Sequence, residues 1–257
     1  MALTFDALRD EYARLWRTMA VRPEKLAAAD KIARKIFANR ERYRAVERKT
    51  NVPWFMIGAI HALECGLSFA GHLHNGDPLS ARTRQVPAGR PAAGNPPFGW
   101  EESALDALTM PPHSLHRVTD WPIERVAYEL ERYNGFGYRR FHPGVKSPYL
   151  WSYSNQYTAG KYVADGRWSS SAVSSQCGAM VLIKRIAELD ASVAERINGK
   201  AAPTLPPILP TPKPAPPPKP APPPAPKPQP TPQGRRVGGL LFSWLAQLIA
   251  GLLRRKS

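Results

Sequence analysis

Glu64 closes the apolar run Pro53-Trp54-Phe55-Met56-Ile57-Gly58-Ala59-Ile60-His61-Ala62-Leu63-Glu64, at the point where the chain turns polar and glycine-rich. A carboxyl group placed there stands at the rim of a core. Burial disfavours the charged form of a carboxyl and raises its pKa, which is what a general acid near neutral pH requires. Cleavage of a glycosidic bond fits this setting: it needs a proton donor for the leaving oxygen and usually a second carboxylate, which activates water or stabilises positive charge on the sugar. Asp77, within Asn75-Gly76-Asp77-Pro78, and Thr83 follow in a turn-rich excursion. A two-stranded arrangement there would aim both side chains back toward the end of the Glu64 helix. The competing account is structural, with Glu64 as a buried ion-pair member and Asn75 to Pro78 as an ordinary turn.

The elements that must position these residues are mostly helical. Phe5, Leu8, Tyr12, Leu15, Trp16 and Met19 recur at three- and four-residue spacings and predict an amphipathic helix from Thr4 to about Arg17. A second is expected from about Pro23 to Lys49, with Leu26, Ile32, Ile36, Phe37 and Tyr43 on its inner face. The Glu64 helix starts at Pro53, where a proline at the first helical position costs no hydrogen bond, and ends by Gly66. From Leu67 to Pro97 the sequence is short, polar and punctuated by glycine and proline, which predicts a hairpin or an ordered loop. Helical patterns resume from Trp100 to Leu108 and from Asp120, an expected N-cap with Pro122 just inside, to Tyr133, stopped by Asn134-Gly135. An aromatic-rich excursion follows from Tyr138 to Trp168, then a helix expected to be capped by Ser169-Ser170-Ser171 and to run to about Arg196.

The net charge of +16 is uneven: eight Lys or Arg and no acid follow Ala202, leaving +8 for residues 1–201. A basic chain favours polyanions, so nucleic acid, anionic lipid and wall polymers are all admissible partners. No zinc-finger spacing, Walker loop or RNP-like string is present, which sets nucleic acid aside. Two cysteines, Cys65 and Cys177, are too few for a disulfide scaffold and leave a single bridge open. The N-terminus has no basic region followed by an apolar run, so no cleavable secretion signal is read there. Pro203 to Gln233 holds more than half of the 29 prolines and predicts an extended polyproline spacer. Beyond it, the apolar run Gly238 to Leu253 lies between Arg235-Arg236 and Arg254-Arg255-Lys256. Sixteen helical residues rise about 24 Å, short of a ~30 Å hydrocarbon core, while the flanking cations suit anionic headgroups.

Several residues have a plainer explanation than chemistry. His72 and His74 lack a suitable third ligand nearby and are read as turn-stabilising, so no metal is expected and no cofactor is called for. Glu101 and Glu102 open a helix at its positive dipole end. Trp151, Tyr153, Tyr157, Tyr162 and Trp168 either stack on sugars or fill the core. Cys65 has no identifiable His and Asn arrangement to make it a nucleophile.

The segment Val52 to Phe69 resembles the catalytic segment of the lysozyme-like superfamily, in which goose-type lysozymes and soluble lytic transglycosylases carry a similar apolar helix ending in a catalytic glutamate. Those enzymes usually follow the glutamate with serine, where this chain has Cys65. Tyr133-Asn134-Gly135-Phe136-Gly137-Tyr138 looks like the Tyr-Asn cleft motif of the same superfamily, its alternative being a helix C-cap turn. The order Glu64, Asp77, Thr83 looks like the Glu, Asp, Thr triad of phage-type lysozymes, with the same Asp-to-Thr interval and a longer Glu-to-Asp gap. Strings such as His72-Leu73-His74-Asn75-Gly76-Asp77-Pro78-Leu79 and Gly160-Lys161-Tyr162-Val163-Ala164-Asp165-Gly166 extend the resemblance over positions 51 to about 185.

The resemblance implies Glu64 as general acid, Asp77 positioning water or stabilising the oxocarbenium-like state, Thr83 orienting that water, and Tyr133, Asn134 and Tyr138 lining a glycan cleft. The expected protein is mainly α, or α+β with a small hairpin excursion: a lysozyme-like domain over residues 1–201, a proline-rich linker over 202–234 and a cationic hydrophobic helix over 235–257. Its expected activity is that of a phage-type endolysin, an N-acetylmuramidase acting on peptidoglycan glycan strands. The expected form is a monomer held in the host cytoplasm before release to the cell wall or periplasm, with residues 235–257 meeting an anionic membrane or lipopolysaccharide. The alternatives are a lytic transglycosylase using the same glutamate and a non-catalytic, membrane-tethered wall-binding protein.

Overall fold

The structure is a computed structural model that describes residues 3–164 and 166–198. The expected linker and C-terminal helix lie outside the described residues. Among the described residues no helix is long and apolar enough to cross a membrane.

The architecture is mainly helical, built around α4 (Trp54–Cys65), whose residues from Trp54 to Glu64 are all buried except Ala62. A helix apolar all round must be covered on every side. Cover comes from α2 (Pro23–Ala38), α3 (Arg40–Thr50), α6 (Ile123–Asn134) and α9 (Ala179–Leu189), each of which packs against it. On the outside, α1 (Phe5–Arg17) packs along α6, and α2 along α9. Thr4 caps α1 by accepting from the Ala7 amide at 3.4 Å. The remaining elements are α5 (Trp100–Thr109), the short helices α7 (Gly137–Phe141) and α8 (Pro148–Trp151), strands β1 (Lys161–Ala164) and β2 (Arg167–Ser169), and α10 (Ala191–Ile197).

Three expected elements form differently. The helix read from Pro23 to Lys49 is two, broken at Asn39, whose side-chain amide turns back to the Lys35 carbonyl at 2.9 Å and closes α2. Of the hairpin or ordered loop expected between Leu67 and Pro97, the ordered loop forms, with one isolated bridge between Gly71 and Pro78, and the two-stranded pairing comes later in the chain as antiparallel β1 and β2. The helix expected to start at the serine run starts after Gly178, because Arg167–Ser169 is used in the β ladder and the Ser169 hydroxyl accepts from the Ala172 amide. That helix also stops earlier, at Asp190, whose carboxylate accepts from the Ser192 amide at 3.0 Å and opens α10.

Gly178 is where α9 meets α8. Its N–H donates to the Ser152 carbonyl at 3.0 Å, and a methyl group built on it would stand 2.4 Å from the Leu150 carbonyl oxygen and 2.8 Å from the Ser152 nitrogen. These are backbone atoms and cannot move aside cheaply. Gly178→Ala is therefore expected to destabilise the fold by about 3 kcal/mol, lowering the melting temperature by on the order of 10 °C in calorimetry. An unchanged melt would show that α8 is free to shift.

A buried ionic network fixes the other side of this region. The Glu131 carboxylate accepts from the Tyr12 hydroxyl at 2.5 Å and from Arg139 Nε at 2.8 Å, while Arg139 Nη1 and Lys146 Nζ both reach Glu11. It joins α1, α6, α7 and the chain that leads into α8.

Candidate active site

Glu64 sits in the last turn of α4, which Gly66 ends in the left-handed conformation with φ 58°. Its side chain is buried, with 7% of the residue exposed. The Tyr149 hydroxyl donates to Glu64 Oε1 at 3.1 Å. Tyr149 is carried by α8, and its phenol pKa is pushed well above the ordinary value, by burial first and then by the charge of Glu64. Tyr133, on the last turn of α6, is shifted the same way by burial and then by Glu64. Both phenols therefore stay protonated; Tyr149 spends its proton on Glu64, and the Tyr133 hydroxyl reaches the Leu73 carbonyl at 3.5 Å.

The chain that leaves α4 is tied back to it. The Cys65 thiol donates to the His72 carbonyl at 2.9 Å, and Gln176 on the segment before α9 donates to the Leu63 carbonyl at 2.7 Å. Burial pushes the Cys65 thiol pKa well up, and the Glu64 charge adds to it, so the sulfur is held as a thiol and not as a nucleophilic thiolate. Cys65 and Cys177 are both free.

Asp77 and Thr83 shape the excursion from within it. Asp77 Oδ2 accepts from the amides of Arg84 and Gln85, at 2.8 and 3.0 Å, and from Asn75 Nδ2 at 3.2 Å. Thr83 donates to the Pro87 carbonyl at 2.5 Å and accepts from the Arg90 amide at 2.9 Å. No two-stranded arrangement aims them at Glu64: the Asp77 side chain is turned onto residues 75, 84 and 85, and the Thr83 side chain onto residues 87 and 90. His72 and His74 brace the same excursion against α5. His72 bonds the Ala81 carbonyl and the Ser103 hydroxyl, each at 2.8 Å, and His74 Nε2 donates to Asp106 at 2.8 Å. Arg90 adds a two-pronged contact to Asp106 at 2.7 and 2.8 Å. Burial opposes ionisation of Asp106, yet these donors hold its pKa below the usual carboxylate value. Among the described residues no group of three His, Cys, Asp or Glu could hold a metal ion.

Of the cleft residues named from sequence, Tyr133 is the one whose phenol feels the charge of Glu64. Asn134 follows it at the end of α6, buried, with Oδ1 lacking a hydrogen-bond partner. Tyr138 is buried on α7 and meets the hairpin rings Tyr162 and Trp168 edge-on, with centroids 5.9 and 5.8 Å away. Trp151 and Tyr157 fill the core, whereas Tyr153, Tyr162 and Trp168 are half-buried. Sequence reasoning missed Tyr149: Pro148-Tyr149-Leu150-Trp151 is too short to show a period, and its partner is 85 residues away. Chemically, the arrangement is one carboxyl able to give and take a proton, flanked by neutral phenols. Comparison of the chain with protein-family models, with curated proteins and with solved structures finds no match.

Proposed function

We propose that the chain cleaves the glycan strands of peptidoglycan as an N-acetylmuramidase of the phage endolysin type, with Glu64 delivering the proton to the leaving oxygen. The observation that carries this reading is the Glu64 carboxyl, buried at the end of an almost wholly covered helix and held at 3.1 Å by the Tyr149 hydroxyl. A desolvated carboxyl with a fixed orientation is suited to protonating a glycosidic oxygen. Tyr133, Asn134 and Tyr138 then line the strand's path, and residues 235–257 bring the enzyme to an anionic membrane or lipopolysaccharide.

A second reading has its own support. Two phenols, Tyr133 and Tyr149, feel the Glu64 charge, and the carboxylate of Asp77 is already engaged by three donors within its loop. That suits a lytic transglycosylase, in which one carboxyl acts as acid and then as base and the sugar's own 6-hydroxyl takes the place of water. Mass spectrometry of fragments released from purified sacculi separates the two. Reducing ends are expected from hydrolysis, and 1,6-anhydro ends, lighter by one water, from transglycosylation. Release of neither fragment would overturn glycan cleavage and leave a non-catalytic wall-binding protein.

A further inference from the structure

We propose that His61 is the positioning residue for Glu64: its buried imidazole and its carbonyl together clamp the left-handed turn that follows the acid, and so fix where the carboxyl points. The proposal rests on Glu64 being the glycan-cleaving acid.

His61 lies one helical turn before Glu64 and is wholly buried. Its Nε2 is 3.1 Å from the Ser68 carbonyl and its Nδ1 is 2.9 Å from the Tyr43 hydroxyl. A carbonyl can only accept, so the proton sits on Nε2, and Nδ1 accepts from Tyr43. The His61 backbone carbonyl accepts from the Gly66 amide that caps the helix and from the Leu67 amide at 3.2 Å. One residue thus holds three successive positions of the exiting chain.

That chain needs holding. Gly66 and Leu67 have φ of 58° and 64°, two left-handed residues in a row. Glycine adopts this conformation freely, whereas Leu67 carries a Cβ that crowds its own carbonyl there. A strained residue persists only where its surroundings over-determine it. The surroundings are centred on the imidazole, which packs against Phe69 and Trp100 at centroid distances of 4.6 and 4.7 Å, with Tyr43 edge-on at 5.8 Å. Arg42 lies 3.8 Å over the Phe69 ring and is itself paired with Glu101 on α5 at 2.7 Å. Glu64 and Cys65 lie between the His61 backbone and the clamped Ser68, so their backbone cannot rotate unless this contact set opens. If it does open, Leu67 relaxes out of the left-handed region, the last turn of α4 unwinds, and the carboxyl leaves the reach of Tyr149.

The test is a set of full-length variants assayed on soluble peptidoglycan glycan fragments: His61→Leu, His61→Gln, Tyr43→Phe, Leu67→Gly and the double variant His61→Leu with Leu67→Gly. Circular dichroism and thermal melts establish that each is folded. His61→Leu is expected to lower kcat at least tenfold with KM within twofold, because the glycan still binds while the acid is misaimed. His61→Gln, whose amide can still donate to the Ser68 carbonyl, should retain several-fold more kcat than His61→Leu. Adding Leu67→Gly to His61→Leu should recover at least threefold of the lost kcat, since a glycine keeps the turn without the clamp; Leu67→Gly alone is the reference for that recovery. A folded His61→Leu that keeps its kcat, or loses only KM, would overturn the proposal. Should His61→Leu not fold, the decision passes to His61→Gln and Tyr43→Phe, and wild-type kcat in both overturns it. Glu64→Gln is run alongside: if that variant still turns over, the assignment of the acid has failed, whereas an inert Glu64→Gln beside a fully active His61 series condemns the positioning role alone.

Discussion

Glu64→Gln is expected to release glycan fragments from purified sacculi at less than about a thousandth of the wild-type rate, within the range that loss of a positioned general acid commands. The substitution keeps the shape and still offers an oxygen to the Tyr149 hydroxyl, now 3.1 Å from Glu64 Oε1, but an amide has no acidic proton to transfer. The fold should not suffer. A buried carboxylate carries a desolvation cost that a neutral amide lacks, so the melting temperature should stay level or rise, as is common when a polar active-site group is replaced. Binding of sacculi should also persist, since the residues named for the glycan path are untouched. Rate measurements by release of soluble reducing or anhydro ends, with a melt on the same preparation, decide the matter. A variant that keeps a tenth of the wild-type rate would remove Glu64 from the chemistry.

The second large effect is on stability in mild acid. Burial pushes the His61 pKa down to about 4, assisted by the charge of Arg42, and pushes that of His113 down to about 4, assisted by Arg132 and then His74. His74 is lowered as well, burial outweighing the help of Asp106. A histidine whose folded pKa is depressed stays neutral in the native state while the unfolded chain takes up a proton. Its contribution is therefore present above the unfolded value near 6.5 and is lost as pH falls toward the folded value near 4. For His61 and His113 the ceiling is about 3 kcal/mol each, comparable to a sizeable part of a domain's total stability. Glu131 works the other way, because burial raises its pKa and the stability it contributes is present in acid and lost as pH rises through that raised value. Urea midpoints measured between pH 7 and pH 4 should therefore fall steeply, and His61→Gln, which cannot titrate, should flatten the slope by about one proton. A midpoint that stays level from pH 7 to pH 4.5 would show that these imidazoles reach solvent in the native state.

How far the sequence reveals the fold depends on the range of the interaction responsible. The Glu64 helix was legible because both its entry at Pro53 and its end at Gly66 are local signals, and the periodicity of α1 and of α6 is equally local. The break at Asn39 was not, since asparagine reads as tolerable inside a helix until its side chain is seen to close α2 on the Lys35 carbonyl. The serine run from 169 to 171 is good cap chemistry, and what displaces the helix start to Ala179 is pairing of Arg167–Ser169 with β1. Asp77 shows the same limit within the candidate site. The string Asn-Gly-Asp-Pro announces a turn, but what its carboxylate meets is decided by where Arg84 and Gln85 return, which no turn signal specifies. Tyr149 reaches Glu64 only after the whole chain has folded.

The excursion between α4 and α5 has one further consequence, for protein engineering. Its backbone is tied within itself, by the Leu79 amide to the Ala70 carbonyl, the Thr83 amide to the Arg90 carbonyl and the Phe98 amide to the Leu79 carbonyl, but side chains fix it to the body of the protein, and two of those partners, Ser103 and Asp106, belong to α5 and not to the loop. The segment is for that reason not portable: grafted onto another scaffold as residues 67–99 it would leave behind the serine and the aspartate that give it shape, whereas a cassette extended through α5 would carry its own mould.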